Sequence, residues 1–155
     1  MAQDVSVVIP VHNEAPNLDQ LYRELHQILS SSGHDYELVF VDDGSTDTTL
    51  DLLKKLRATD LRVKIIRFRR KFGQTAAFAA GFAYASGEVI VTMDGDLQND
   101  PADIPMLMTR LEDGYDIVCG WRRQRRDAWL TRRLPSMIAN WLISWSTGVR
   151  LHDYG

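Results

Sequence analysis

Two carboxylates one residue apart, Asp94 and Asp96, flank Gly95 directly after an apolar run. Both can offer oxygen to a hard divalent cation of the Mg2+ or Mn2+ kind, whose remaining positions would be filled by water and by the oxygens of a diphosphate. This is the D-x-D arrangement of a nucleotide-diphosphate site; its bland counterpart is a solvated acidic turn. The flanks favour the metal site, because residues 89–93 read as a strand that ends at the pair, and Leu97, Gln98, Asn99, Asp100 and Pro101 follow.

Two further strand ends carry unusual polar residues: Pro10-Val11-His12-Asn13-Glu14 and Asp42-Asp43-Gly44-Ser45. Carboxylates gathered at one edge repel one another unless a cation or hydrogen-bond donors lie between them. Asp42 and Asp43 could accept hydrogen bonds from a ribose hydroxyl or a base N–H. Equally, Ser45 or Thr46 with Asp47 could cap the helix that follows. Glu14 could favour the dipole of the first helix, and Asn13 could serve as a turn residue. The run Arg67-Phe68-Arg69-Arg70-Lys71-Phe72-Gly73-Gln74 places cations just before a helix, whose N-terminus favours anions. A diphosphate could use both, with a solvated basic turn as the alternative for Arg69, Arg70 and Lys71.

These residues are useful only if the chain brings the strand ends together. Residues 5–11 form a continuous, β-branched apolar run, the mark of a buried parallel strand. Runs at 36–41, 63–68, 88–93 and 117–119 repeat the strand signal. Between them, Leu18, Leu21, Tyr22, Leu25, Ile28 and Leu29 recur at helical spacing, Leu50, Leu53 and Leu56 line a second helix, and residues 74–85 form an alanine-rich third. Strand and helix alternate with short turns, which predicts an α/β fold with a mainly parallel sheet and helices on both faces, a Rossmann-like nucleotide-binding half. In such sheets ligands bind outside the carboxyl ends of the strands, where the polar clusters fall. No repeat or linker-like tract interrupts the pattern, so residues 1–155 read as one unit. Residues 134–147 carry Leu, Met, Ile and Trp just after an arginine cluster, which fits either a helix packed on the core or an interfacial helix at a membrane surface.

With 155 residues, 45% of them hydrophobic, there is material for one real core. The net charge of -3 conceals arginines crowded at 67–71 and 122–133. The one cysteine, Cys119, has no internal disulfide partner and sits in the apolar run read as a buried strand, which implies a reducing, cytosolic setting. The N-terminus shows no signal-peptide pattern, and no apolar run reaches the roughly 20 residues that span a bilayer. The chain as given is expected to be soluble or peripheral. No G-x-G-x-x-G follows the first strand, which argues against a dinucleotide oxidoreductase.

Taken in order, residues 8–14, 41–47, 71–74 (Lys-Phe-Gly-Gln), 93–98 and the closing Asp153-Tyr154-Gly155 resemble the family 2 glycosyltransferases. The Phe-Gly-Gln turn, the Leu-Gln after D-x-D and the final Asp-Tyr-Gly resemble the branch that acts on undecaprenyl or dolichyl phosphate. The resemblance implies a GT-A fold with Pro10, Val11, Glu14 and Asp42 around the nucleoside, Asp94 and Asp96 on Mg2+ or Mn2+, and Gln98 near the sugar or metal; Asn13 and Asp43, in the same motifs, are expected among the donor-binding residues. It further implies that Lys71, Gly73 and Gln74 border the diphosphate. Arg122 resembles a phosphate-binding arginine, although Trp121 stands where relatives often carry a small residue. Arg132 and Arg133 resemble acceptor-phosphate contacts, and Asp153 a residue that positions acceptor or sugar. Relatives of this kind continue through further strands, an amphipathic helix and often two membrane helices, so a longer parent protein is expected.

The implied reaction is an inverting, metal-dependent transfer from a nucleotide sugar, by the branch resembled a UDP-sugar, to a polyprenyl phosphate on the cytoplasmic side of the cell membrane. Asp96, Arg122 and Asp153 would stand nearest the chemistry. No nucleic acid is expected as a partner, and self-association is left open. A phosphate acceptor, with a second pKa of about 6, already carries most of its charge at neutral pH and needs no strong base. Two rivals stay open: a family 2 enzyme with a carbohydrate acceptor, and a nucleotide-sugar-binding fragment without catalysis.

Overall fold

The computed structural model describes residues 4–120. Its strands are β1 (Val5–Val11), β2 (Tyr36–Asp42), β3 (Val63–Arg67) and β4 (Val89–Thr92). They pair in parallel throughout, in the order β3-β2-β1-β4. The helices are α1 (Ala15–Ser31), α2 (Thr49–Thr59), α3 (Gln74–Tyr84) and α4 (Ile104–Glu112), the last entered through a 3-10 turn at Pro101–Asp103.

The central strands are apolar on both sides because both faces are covered. On one face Val5, Val7, Ile9 and Val11 of β1 join Leu38 and Phe40 of β2, and Leu18, Leu21, Leu25 and Leu29 of α1 pack onto them with Leu53 of α2. Those four leucines recur every three or four residues, so one stripe of α1 is buried while its other faces meet water. Pro16 lies in the first turn of α1, where its missing N–H breaks no helical bond. On the opposite face Val8, Val39 and Val41 meet Ala77 of α3. The small residues of α3 let it lie close to the sheet.

This order positions the site. The chain builds β1, β2 and β3 outward in one direction, then returns through α3 to lay β4 on the other side of β1. The turn leaving β4 therefore arrives beside the loop leaving β1, at the carboxyl edge where open α/β sheets bind ligands.

At the opposite end of the sheet a buried carboxylate ties strands together. Glu37, 1% exposed, accepts hydrogen bonds from Ser6 Oγ at 2.7 Å, Ser86 N at 2.8 Å and Ser86 Oγ at 2.9 Å, and pairs with Lys64 Nζ at 2.5 Å. Burial alone would push its pKa up, but the hydrogen bonds from Lys64, Ser6 and Ser86 outweigh it and hold the carboxyl below the ordinary glutamate range.

Expectation and structure differ in places. No strand forms at 117–119: Ile117 is 79% exposed and Cys119 is also exposed. Three apolar residues between Asp116 and Gly120 have no strand beside them among the described residues, and a strand without a partner has no ladder to hold it. The sequence reading also passed over α4, whose Ile104 and Met108 join the core beside α1. The strands anticipated at 63–68 and 88–93 are shorter, as is the helix anticipated at 74–85, whereas β2 extends one residue further, to Asp42. Among the described residues no helix is long and apolar enough to cross a membrane. The anticipated helix at 134–147 lies outside them.

Because the Glu37 pKa is lowered by folding, its contribution to stability is complete above the ordinary glutamate range and is lost as pH falls through the lower, folded-state value. Glu37→Gln should lower unfolding free energy at neutral pH by about 1.5–3 kcal/mol, and should flatten the fall in stability below about pH 5. Urea titrations across pH check this, and an unchanged profile would remove Glu37 from the stability of the sheet.

Candidate active site

At the carboxyl end of β2, Asp42 is fully buried and lies in register with Val11 of β1 and Arg67 of β3. Its Oδ1 accepts from Ser45 N at 2.9 Å, while its Oδ2 is buried with no partner among the described residues. A carboxylate oxygen removed from water without a donor is costly. The position therefore suits a ligand that brings an N–H or O–H.

Asp43, one residue on and 4% exposed, is differently employed. Its Oδ1 accepts from Phe72 N at 2.6 Å and its Oδ2 from Gly73 N at 2.9 Å, while its own N–H donates to Val11 O at 2.9 Å. Both carboxylate oxygens are thus engaged by the turn that opens α3. Gly44, at φ +66°, lies against the same turn: a Cβ there would be 2.7 Å from Lys71 N and would overlap Arg70. The basic turn carrying Arg69, Arg70 and Lys71 is fixed to the end of β2 by these contacts.

The loop after β1 is stitched to the loop after β2. Asn13, in the left-handed region at φ 58°, accepts through Oδ1 from Thr46 N at 2.8 Å, and its own N–H donates to Ser45 Oγ at 3.0 Å. Glu14 N donates to Thr49 Oγ1 at 2.9 Å, and the Glu14 carboxylate accepts from Asn17 Nδ2 at 2.7 Å. Of the residues considered for capping α2, Asp47 is the one whose side chain bonds its start, accepting from Thr49 N at 2.9 Å. His12 belongs to the same strand-end motif as Asn13 and Glu14. Its Nδ1 lies 2.9 Å from Asp43 O, and because a carbonyl only accepts, Nδ1 carries the proton.

At the end of β4 the D-x-D turn packs on β1. A Cβ at Gly95 would stand 2.8 Å from Val11 Cγ1 and 3.3 Å from Pro10 O, so glycine is what lets the turn approach the first strand end. Asp94 Oδ1 accepts from Gln74 Nε2 at 2.5 Å, and Asp96 Oδ1 accepts from Gln98 N at 3.1 Å. Leu97 follows at φ 63°, a conformation costly for a leucine and held here by packing against the core. Asp100 Oδ1 then accepts from Ala102 N at 2.9 Å and turns the chain into α4.

The structure thus brings Pro10, Val11, Asn13, Glu14, Asp42, Asp43, Lys71, Gly73, Gln74, Asp94, Asp96 and Gln98 to one edge, on the ends of β1, β2 and β4 and the start of α3. Arg122, Arg132, Arg133 and Asp153 lie outside the described residues. No group of three or more His, Cys, Asp or Glu side chains able to hold a metal occurs among the described residues. A pair of carboxylates without a full protein cage fits a hard cation that draws its other ligands from phosphate oxygens and water.

The fold has solved counterparts. Glucosyl-3-phosphoglycerate synthase from Mycobacterium tuberculosis, in complex with Mn2+, uridine diphosphate and phosphoglyceric acid, matches at a TM-score of 0.68 and 24% identity, over 92% of this chain and 49% of that one. The architecture is the GT-A type. The family model described as "Glycosyl transferase family 2" matches residues 6–154, and the chain belongs to that family. It is 46% identical over 154 residues to a dodecaprenyl-phosphate galacturonate synthase of Rhizobium johnstonii, covering 98% of this chain and 46% of the relative. It is 45% identical over 153 residues to an undecaprenyl-phosphate 4-deoxy-4-formamido-L-arabinose transferase of Pseudomonas paraeruginosa, covering 97% and 44%. The chain therefore spans less than half the length of these curated relatives.

Asp43→Ala should leave the amides of Phe72 and Gly73 without their acceptors at a cost of roughly 2–3 kcal/mol. Hydrogen exchange should report it, with faster exchange at residues 72–76 while β1 and β2 stay protected; unchanged exchange in the turn would contradict the clamp.

Proposed function

We propose that this chain is the donor-binding part of an inverting transferase that moves a sugar from a nucleotide sugar, UDP-linked, to a polyprenyl phosphate at the cytoplasmic face of a membrane. The observation that carries the donor half is the juxtaposition at the carboxyl ends of β1, β2 and β4: Asp94 and Asp96 on a turn packed against Pro10 and Val11, and, at the end of β2, a buried Asp42 oxygen with no donor among the described residues. The acceptor half is supported by the relatives, a dodecaprenyl-phosphate galacturonate synthase and an undecaprenyl-phosphate 4-deoxy-4-formamido-L-arabinose transferase. A divalent cation is supported by the carboxylate pair and by the Mn2+ in the solved mycobacterial neighbour.

Each residue then has a task. Asp42 Oδ2 accepts a hydrogen bond from the nucleoside, relieving its buried, unpaired state. Asp43 and Gly73 shape the site rather than touch the ligand, since the Asp43 oxygens are engaged by the amides of Phe72 and Gly73. The free amides at the start of α3, with Lys71 beside them, favour the diphosphate. Asp94 and Asp96 hold Mg2+ or Mn2+, which when bound would neutralise charge on the departing diphosphate. Arg122, Arg132 and Arg133 attract the acceptor phosphate, and Asp153 positions acceptor or sugar. Because the acceptor is already an anion, single displacement at the anomeric carbon with inversion requires no general base.

Calorimetry of a UDP-sugar with the 155-residue chain in Mn2+ tests the donor half. Asp94→Asn and Asp96→Asn should each weaken Mn2+-dependent binding at least about tenfold without shifting the unfolding midpoint. Retained affinity in both variants would contradict the assignment.

A further inference from the structure

Gln74 is the first residue of α3, is exposed, and reaches across to a carboxylate 20 residues further along the chain: its Nε2 donates to Asp94 Oδ1 at 2.5 Å. A carboxylate only accepts, so the amide nitrogen must be the atom that faces it, and Oε1 is turned away. The backbone that carries Gln74 is itself held from β2. Gly73 N donates to Asp43 Oδ2, and Asp43 N donates to Val11 O. The path closes on itself, because Gly95, next to Asp94, packs against the side chain of the same Val11. A ring of contacts therefore runs from the end of β1 to the end of β2, through the start of α3 to the end of β4, and back to β1.

We infer that Gln74 is a positioning residue for the divalent cation. By engaging Oδ1 of Asp94 it fixes the rotation of that carboxylate and leaves the other oxygen for the metal. It thereby makes the rigidity of the Asp43 clamp available to the D-x-D turn. The inference rests on the reading above that Asp94 is a metal ligand. An exposed hydrogen bond between two surface side chains adds little to folding. The same bond acts strongly on a metal site, because partners that orient a ligand typically change metal affinity by about 10–100-fold when removed. Without Gln74 the Asp94 carboxylate would sample its rotamers freely, and ordering it would be charged against each binding event.

The test uses the 155-residue chain with Mn2+ alone, the free ion counted by electron paramagnetic resonance, for wild type, Gln74→Ala and Asp94→Asn. Thermal unfolding is followed alongside. Gln74→Ala should weaken Mn2+ binding about tenfold while leaving the unfolding midpoint in place, a pattern that a purely structural role would not give. Unchanged or tighter Mn2+ binding in Gln74→Ala, with binding lost in Asp94→Asn, would overturn the inference and spare the metal site. Full Mn2+ affinity in Asp94→Asn would remove the metal site itself, and the role of Gln74 with it.

Discussion

The carboxylate of Asp43 accepts two backbone amides from a turn 29 and 30 residues further along the chain, and the geometry of the carboxyl edge depends on that clamp. A charge that is 4% exposed is tolerable only when its oxygens are occupied, and here amide donors occupy both. The bonds hold the basic turn against the DDGS loop and set where α3 begins. They also determine where Gln74 stands and hence what it can reach. Gly44 reinforces the arrangement from the other side, since its missing side chain is what allows Arg70 and Lys71 to approach.

The strand order supplies the second constraint. With β4 placed beside β1, away from β2 and β3, the last polar turn arrives next to the first. Residues separated by more than eighty positions meet there through nothing more specific than parallel pairing and a glycine. The polar groups of the edge divide into two kinds. Asn13, Asp43, Asp47 and Glu14 are engaged in stitching loop to loop or loop to helix. Asp42 retains a buried oxygen without a protein donor, and the D-x-D carboxylates lie on the turn packed against β1. Such a division matches a site whose walls are rigid and whose binding groups await a ligand.

Much of this was legible before any coordinates. Apolar runs bounded by polar turns identify β1 to β4; β1 and β2, buried on both faces, leave the unbroken signature, while β3 and β4 are only partly buried. The motif residues at their ends gather as expected, since the carboxyl edge of a parallel sheet is one place. The separate duties of Asp42 and Asp43 were not legible. Two adjacent aspartates look alike in sequence, and the difference lies in the amides 29 and 30 residues on that engage Asp43 and in the burial of Asp42 Oδ2 without a donor among the described residues. The run at 117–119 misled because apolar composition says nothing about whether a neighbouring strand is at hand. The helix α4 carries Pro105 in its first turn, just after Pro101 of the 3-10 turn, and proline, a breaker inside a helix, is compatible with a helix start. The Gln74–Asp94 contact is long-range and between side chains, and no local pattern encodes it.

The central claim is that a divalent cation binds on Asp94 and Asp96, at the carboxyl end of β4 beside β1. Paramagnetic broadening in the amide spectrum of the isotopically labelled chain, titrated with Mn2+ and UDP, locates the ion directly. Signals of Gln74, Gly95 and Leu97 should vanish first, while those around Glu37, at the far end of the sheet, stay sharp. Broadening centred instead on another acidic turn, such as that of Asp113 and Asp116, with residues 94–98 unaffected, would contradict it.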